Sequence, residues 1–317
     1  MDNENKNQSL RDVKLTSFSQ LIGQQKVAKA LSMAVDASFH LQQRMCDVLL
    51  QAAPGLGKSS MVDILKSELC VECTTVLSQT ITNSAELNSV LLRAGEGLLF
   101  LDEIHLLNSS MQHQLLLILD HRKIFLNNGK RVTEIPVAPF TLIGATTNPE
   151  KVIRPLIDRF RMVLTLEYFS HDELCKIVEQ RCRFMNWDFE SGLESEIAKR
   201  SKDTPRIAIR LLDAARRSMA SRGEDQLKVL HLKEACFFES IDSLGLNMVE
   251  QSYMALLKEG AMRLNVMASS LGFTSAALTD NVEPYLIRSK LIFKTDKGER
   301  ALTEQGLAHV NEEVLTD

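Results

Sequence analysis

Ten residues, Gln51-Ala52-Ala53-Pro54-Gly55-Leu56-Gly57-Lys58-Ser59-Ser60, constrain this chain more than any other stretch. They follow the apolar run Val48-Leu49-Leu50 and precede MVDILKSELC, whose apolar residues recur at helical spacing. A strand, a glycine-rich loop and a helix in this order let backbone N–H groups close around phosphates. The helix N-terminus favours the anion, Lys58 reaches the β and γ phosphates, and Ser59 can ligate Mg²⁺. The position where the full pattern has its first glycine is Ala52, a change at the strand exit that removes none of the chelating groups.

The segment GLLFLDEIHLL strengthens this reading, because it sets Asp102 and Glu103 side by side at the end of an apolar strand. Next to a phosphate loop, Asp102 is expected to hold Mg²⁺, directly or through water, and Glu103 to orient and deprotonate an attacking water. Hydrolysis of a nucleoside triphosphate is therefore the leading expectation. His105 reads as a structural or coupling residue rather than a ligand. A third strand ends in IGATTNP, where Thr146 or Asn148 can serve as a polar sensor beside the γ-phosphate. RPLIDRFRM then supplies Arg154, Arg159 and Arg161, the residue type suited to charge developing on a transferred phosphoryl group. In DTPRIAIRLL, Pro205 opens a helix and Arg206 occupies its first turn, an unfavourable place for a cation unless an anion is its partner.

Composition excludes several alternatives. With 44% hydrophobic and 25% charged residues in 317, the chain has the balance of a soluble protein of two or three domains. No apolar stretch reaches the roughly 18 residues a membrane span needs, and the polar start MDNENKNQSL lacks the features of a signal peptide, so a cytoplasmic location is expected. The six cysteines have no second Cys/His pair near Cys70 and Cys73 to complete a zinc site and read as structural thiols. A net charge of −4 restricts any nucleic-acid contact to a local patch.

Between about residues 45 and 166, DVLLQA, TTVLSQ, GLLFLD and FTLIGATT alternate with helical patterns, the signature of a covered parallel sheet. Ser170 and Glu173 form a capping box ahead of a helical segment reaching residue 242. After it come further helical patterns and LIFKTDKGERALTEQG, where Asp296-Lys297-Gly298 turns between two short strands; helices followed by a small basic hairpin suggest a winged helix.

Gly-Leu-Gly-Lys-Ser, Asp-Glu-Ile-His, FTLIGATT, DRF and TPR in this order resemble AAA+ ATPases. With LIGQQKV upstream and EPYLIRSKL near the end, the set is similar to the RuvB family of Holliday-junction branch-migration motors over roughly residues 10 to 310. The resemblance implies an α/β AAA+ ATPase domain over 1–166 (1–9 disordered), a helical lid over 167–242 and a DNA-binding winged helix over 243–317. It implies ATP and Mg²⁺ as cofactors, a hexameric ring, and four-way junction or duplex DNA as the substrate. Carried over residue by residue, it assigns Leu10, Arg11 and Ile22 to the adenine side, with Asp12 where the family has Pro. Gly55, Leu56, Gly57, Lys58, Ser59 and Ser60 become the phosphate loop, and Ser59 and Asp102 the metal ligands. Thr146 takes the sensor position, Arg159 that of a finger acting on a neighbouring subunit, and Arg206 that of the lid arginine. Phe169 stands where the family has a nucleotide-contacting Tyr.

The family's wing reads Arg-Thr-Pro-Arg-Gly-Arg. Here Lys294-Thr295-Asp296-Lys297-Gly298-Glu299 replaces it, followed by Arg300, so charge is kept at two positions and reversed at Glu299. DNA contact is accordingly expected from Arg288, Lys290, Lys294, Lys297 and Arg300. HRKIFLNNGKRVTEIPV lies where the family has a longer hairpin for its partner RuvA; Asn128-Gly129 shortens it, leaving open whether a RuvA-like partner exists. Two other readings stand beside the motor: a clamp-loader-like replication-maintenance ATPase, and an ATP-gated DNA-binding regulator that does not translocate.

Overall fold

Three runs buried along nearly their whole length, one ending at the glycine-rich loop and one at Asp102, form the middle of a parallel sheet. In the computed structural model, which describes residues 14–127 and 132–313, α1 (Gln25–His40) leads to β1 (Val48–Gln51), α2 (Lys58–Leu69), β2 (Cys73–Leu77), α3 (Ser84–Arg93), β3 (Leu98–Asp102) and α4 (Ser109–His121). The antiparallel hairpin β4 (Lys123–Asn127) and β5 (Val132–Pro136) precedes β6 (Thr141–Thr146), α5 (Arg154–Arg159) and β7 (Met162–Thr165). Leu10, Arg11 and the Asn128-Gly129 turn lie outside the described residues.

The sheet order is β2-β3-β6-β1-β7, every pairing parallel. β1, β3 and β6 are covered on both faces, as strands flanked by crossover helices must be, and read as continuous apolar runs. β7 carries a run as long as that of β1, Met162-Val163-Leu164, but at the sheet edge its residues alternate between half-buried and exposed. Leu49, Leu99, Leu101, Phe140 and Leu142 form the core with α3 and α4 side chains such as Leu87, Leu91, Leu115 and Ile118. The carboxyl ends of β1, β3 and β6 converge on one rim, where open parallel sheets bind ligands.

The expected capping box starts α6 (His171–Phe184): Ser170 Oγ accepts from Glu173 N at 3.3 Å, and Glu173 accepts from Ser170 N at 2.8 Å. Then follow β8 (Asp188–Phe189), α7 (Leu193–Arg200), α8 (Pro205–Ser221), β9 (Gln226–Leu227) and α9 (Val229–Phe238). β8 and β9 make a two-residue parallel pair inside a segment the sequence presents as wholly helical. α8 opens on Pro205, as expected.

The last segment holds α10 (Met248–Leu256), α11 (Leu264–Leu271), α12 (Ser275–Asn281), α13 (Glu283–Arg288), the antiparallel hairpin β10 (Ile292–Lys294) and β11 (Arg300–Leu302), and α14 (Glu304–Glu313). This is a winged helix around a core of Tyr253, Met254, Met267, Leu278, Leu286 and Leu291. The chain divides into two compact units: one of residues up to Met185 plus Asp203–Arg206, the other of Asn186–Lys202 plus Ile207 onward. No helix among the described residues is long and apolar enough to cross a membrane.

Candidate active site

The loop between β1 and α2 keeps its shape with two glycines. Gly55 and Gly57 have φ of 84° and 99°, left-handed values that a side chain disfavours, and Gly57 is the N-cap of α2. Ala52 is not among the residues with positive φ; its N–H extends the ladder to Thr146 O at 3.1 Å, so a methyl group fits where the pattern has its first glycine. Leu56 anchors the loop in the core at 1% exposure, while Ser59 is exposed and Ser60 half-buried. A Cβ on Gly57 would meet nothing within 4 Å, leaving a cradle open above the N-terminus of α2.

Lys58 is the buried cation of this cradle. Its Nζ donates to Ala52 O at 3.0 Å and lies 3.6 Å from Glu103 Oε1. Burial pulls the ammonium below its ordinary pKa, against the opposing attraction of Glu103 and Asp102. Asp102 ends β3, with Oδ1 accepting from Glu103 N at 3.1 Å. Glu103 sits in the left-handed region at φ 51°, a conformation that persists in a non-glycine residue only where its surroundings hold it. Thr147 does so, donating to Glu103 Oε2 from N at 3.0 Å and from Oγ1 at 2.9 Å.

Thr146, expected as the polar sensor, has its hydroxyl engaged within the protein. It is fully buried, and its Oγ1 meets His105 Nδ1 at 3.0 Å and accepts from Asn148 N at 3.0 Å. The threonine hydroxyl that meets Glu103 is therefore that of Thr147, which sequence reasoning passed over; the two adjacent threonines of ATTN carry no local sign of which points where. His105 Nδ1 also lies 3.3 Å from Glu103 Oε2, and burial holds the imidazole below its ordinary pKa.

Several sequence-selected residues gather around the loop. A Cβ on Gly55 would come within 2.7 Å of Thr204 Cγ2 and 2.9 Å of Arg206 Cβ, so the segment carrying the exposed Arg206 lies directly on the loop. Gly23, next to the half-buried Ile22, packs so closely on Phe169 that a Cβ would meet the ring at 2.8 Å. Gln24 clamps the two segments, donating to Glu167 O at 2.6 Å and accepting from Glu167 N at 3.1 Å. Phe169 N in turn donates to Asp203 O at 3.1 Å. Arg159 is not drawn into this cluster. At the end of α5 it pairs with Asp120 at 2.7 Å and donates to Leu119 O at 3.2 Å, both on α4.

In the second unit, the five wing cations divide. Lys290 and Lys297 are exposed and make no ion pair among the described residues, while Lys294 reaches Glu283 at 3.3 Å. Arg288 donates to Lys202 O at 3.2 Å and lies 5.3 Å over the Tyr285 ring. Arg300, expected to contact DNA, has every nitrogen of its guanidinium engaged inside the domain. Nε and Nη2 donate to Glu283 at 2.7 and 3.3 Å, and Nη1 donates to Gly298 O at 2.8 Å. Glu283 is buried and also accepts from Tyr253 Oη at 2.8 Å. Burial alone would raise its pKa, but hydrogen bonds from Arg300 and Tyr253 hold it below the ordinary carboxylate value. Glu299 lies 3.8 Å from Arg263.

Three family models cover the chain nearly end to end: the Holliday junction DNA helicase RuvB P-loop domain over residues 13–166, the RuvB AAA lid domain over 169–242 and the RuvB C-terminal winged helix domain over 243–311. The chain belongs to the RuvB family. The Holliday junction branch migration complex subunit RuvB of Prochlorococcus marinus (strain MIT 9515) is 32% identical over 314 residues, 96% of this chain and 89% of that protein. The RuvB subunit of Thermosipho melanesiensis is 31% identical over 302 residues, covering 92% and 96%. Among solved structures, the Thermotoga maritima RuvB Holliday junction branch migration motor superposes with a TM-score of 0.80 at 29% identity, over 94% of this chain and 98% of that one.

Proposed function

We propose that this chain is an ATP-driven motor that moves four-way DNA junctions, the activity for which its RuvB relatives are named. The observation that carries the reading is the convergence on one rim of Lys58, Asp102 and Glu103 with the glycine cradle, against which Thr204 and Arg206 pack. Lys58 binds the β and γ phosphates in exchange for its bond to Ala52 O, and the α2 N-terminus adds its partial charge. Mg²⁺, held by Ser59 and Asp102, would neutralise phosphate charge. Glu103 releases Thr147 and takes the proton of the attacking water. Ile22 and Phe169 flank the base, and Arg206 meets the phosphates from the adjoining segment.

Arg159 serves the neighbouring subunit's nucleotide, which makes hydrolysis depend on a ring, taken to be a hexamer. DNA phosphates are held by the exposed Lys290, Lys297 and Lys294, with the motor working in the cytoplasm beside the chromosome. Steady-state ATP turnover with and without four-way junction DNA tests the proposal. Sustained Mg²⁺-dependent turnover, raised by the junction and abolished in Lys58→Ala, is expected. Turnover limited to a single round identifies an ATP-gated switch instead, and no turnover refutes the motor.

A further inference from the structure

The polypeptide passes between its two compact units at three places: Met185–Asn186, Lys202–Asp203 and Arg206–Ile207. Two of these crossings carry non-glycine residues in the left-handed region. Asn186 has φ 52° at the first, and Lys202 and Asp203 have φ 50° and 56°, one directly after the other, at the second. Asn186 and Lys202 each directly follow a helix C-cap, Met185 of α6 and Ser201 of α7, where chains commonly turn left-handed, so the crossings fall where these helices end.

The partners of Lys202 lie in the winged helix. The Lys202 ammonium bonds Glu250 of α10, and the two side chains are 13% and 3% exposed. The same Glu250 closes the capping box of α10, accepting from Asn247 N at 2.8 Å. Lys202 also lies 5.2 Å over the Tyr285 ring, and its carbonyl accepts from Arg288 Nη2 at 3.2 Å, both residues of α13. Side chain and backbone of one residue are thus gripped by two winged-helix elements. One peptide further on, Asp203 O accepts from Phe169 N, and Thr204 and Arg206 press on Gly55.

We propose that Lys202 is a positioning residue that couples the winged helix to the phosphate loop. Movement of α10 and α13 is delivered through the Lys202–Asp203 joint to Thr204 and Arg206, and hence to Gly55. This rests on the motor reading, in which the winged helix holds DNA and the loop holds ATP. Lys202 belongs neither to the phosphate loop nor to the cations assigned to DNA, and on this proposal its effect is confined to the linkage between the two. Such linkage is reciprocal: DNA and nucleotide change each other's affinity by the same factor, commonly about five- to a hundredfold.

The test uses full-length Lys202→Met, which keeps the stem and removes the cation, and Glu250→Gln, which removes the partner charge while glutamine still closes the capping box. Both variants are expected to bind an ATP analogue without DNA, bind duplex without nucleotide, and turn over ATP without DNA, each within about twofold of wild type. The stimulation of turnover by junction DNA, and the tightening of DNA binding by a non-hydrolysable ATP analogue, should both fall at least about fivefold. Full stimulation in both variants overturns the coupling role alone. So does an equal loss of basal and stimulated turnover, which marks a merely structural residue. A wild-type protein without turnover overturns the motor reading itself, before Lys202 is involved.

Discussion

Replacing Arg300 by alanine strands the carboxylate of Glu283, whose side chain is 1% exposed. Removing one partner of a buried ion pair typically costs about 3–5 kcal/mol, since the remaining charge stays out of water without its main compensation. Two partners survive here, the Tyr253 hydroxyl at 2.8 Å and Lys294 at 3.3 Å, and Lys294 is half exposed. That places the expected loss at the lower end, about 3 kcal/mol. With a urea dependence of about 2 kcal/mol per molar, the unfolding midpoint should fall by about 1.5 M. The chain's single tryptophan, Trp187, lies in the same unit with the Arg216 guanidinium 4.3 Å over its ring, so its fluorescence follows that unit's unfolding. Adding Glu283→Gln to Arg300→Ala should recover more than half of the loss, because the cost lies in the unpaired charge. A midpoint shift below about 0.3 M, together with a shallower salt dependence of DNA binding, refutes the reasoning: the guanidinium would then be working outside the domain.

The same cluster sets a pH dependence. Glu283 has its folded pKa lowered, so its stabilisation is complete above the ordinary carboxylate range and lost as pH falls through the folded value. Acid unfolding followed by Trp187 should lose part of its slope in Glu283→Gln, and an unchanged slope contradicts the assignment. Lys297→Ala should reduce the log-log salt slope of duplex binding by about one and weaken unrelated sequences alike; an unaltered slope removes Lys297 from the DNA surface. Arg159→Ala subunits mixed with Lys58→Ala subunits should regain turnover, since a finger arginine can be worth on the order of a thousandfold. Purely additive loss, once subunit exchange is confirmed, argues against a shared site.

What the sequence discloses here is what is local along the chain. The phosphate loop, the Asp102-Glu103 pair, the Ser170 cap and the Gly298 turn each declare themselves within a few residues, because φ sign, capping and strand ends are short-range properties. The central strands are legible because burial on both faces demands unbroken apolar runs, and the edge strand β7 keeps such a run, Met162-Val163-Leu164, with only one face covered. Pairings between distant segments leave no such mark. Nothing near Arg300 announces that Glu283, 17 residues earlier, is buried and will take up its guanidinium. Nothing in ATTN distinguishes the threonine bound to His105 from the one bound to Glu103. The engagement of Lys202 by Glu250, 48 residues away, is equally silent.

The ordinary backbone of Ala52 bears on how such loops are recognised at all. Only Gly55 and Gly57 in this loop occupy conformations that a side chain resists, so they alone carry the geometric requirement. A text pattern that insists on glycine at the position of Ala52 would discard this chain, although its cradle keeps the two glycines that shape it. A pattern written in backbone angles, with letters required only where φ is positive, would keep it and would still reject most glycine-rich turns.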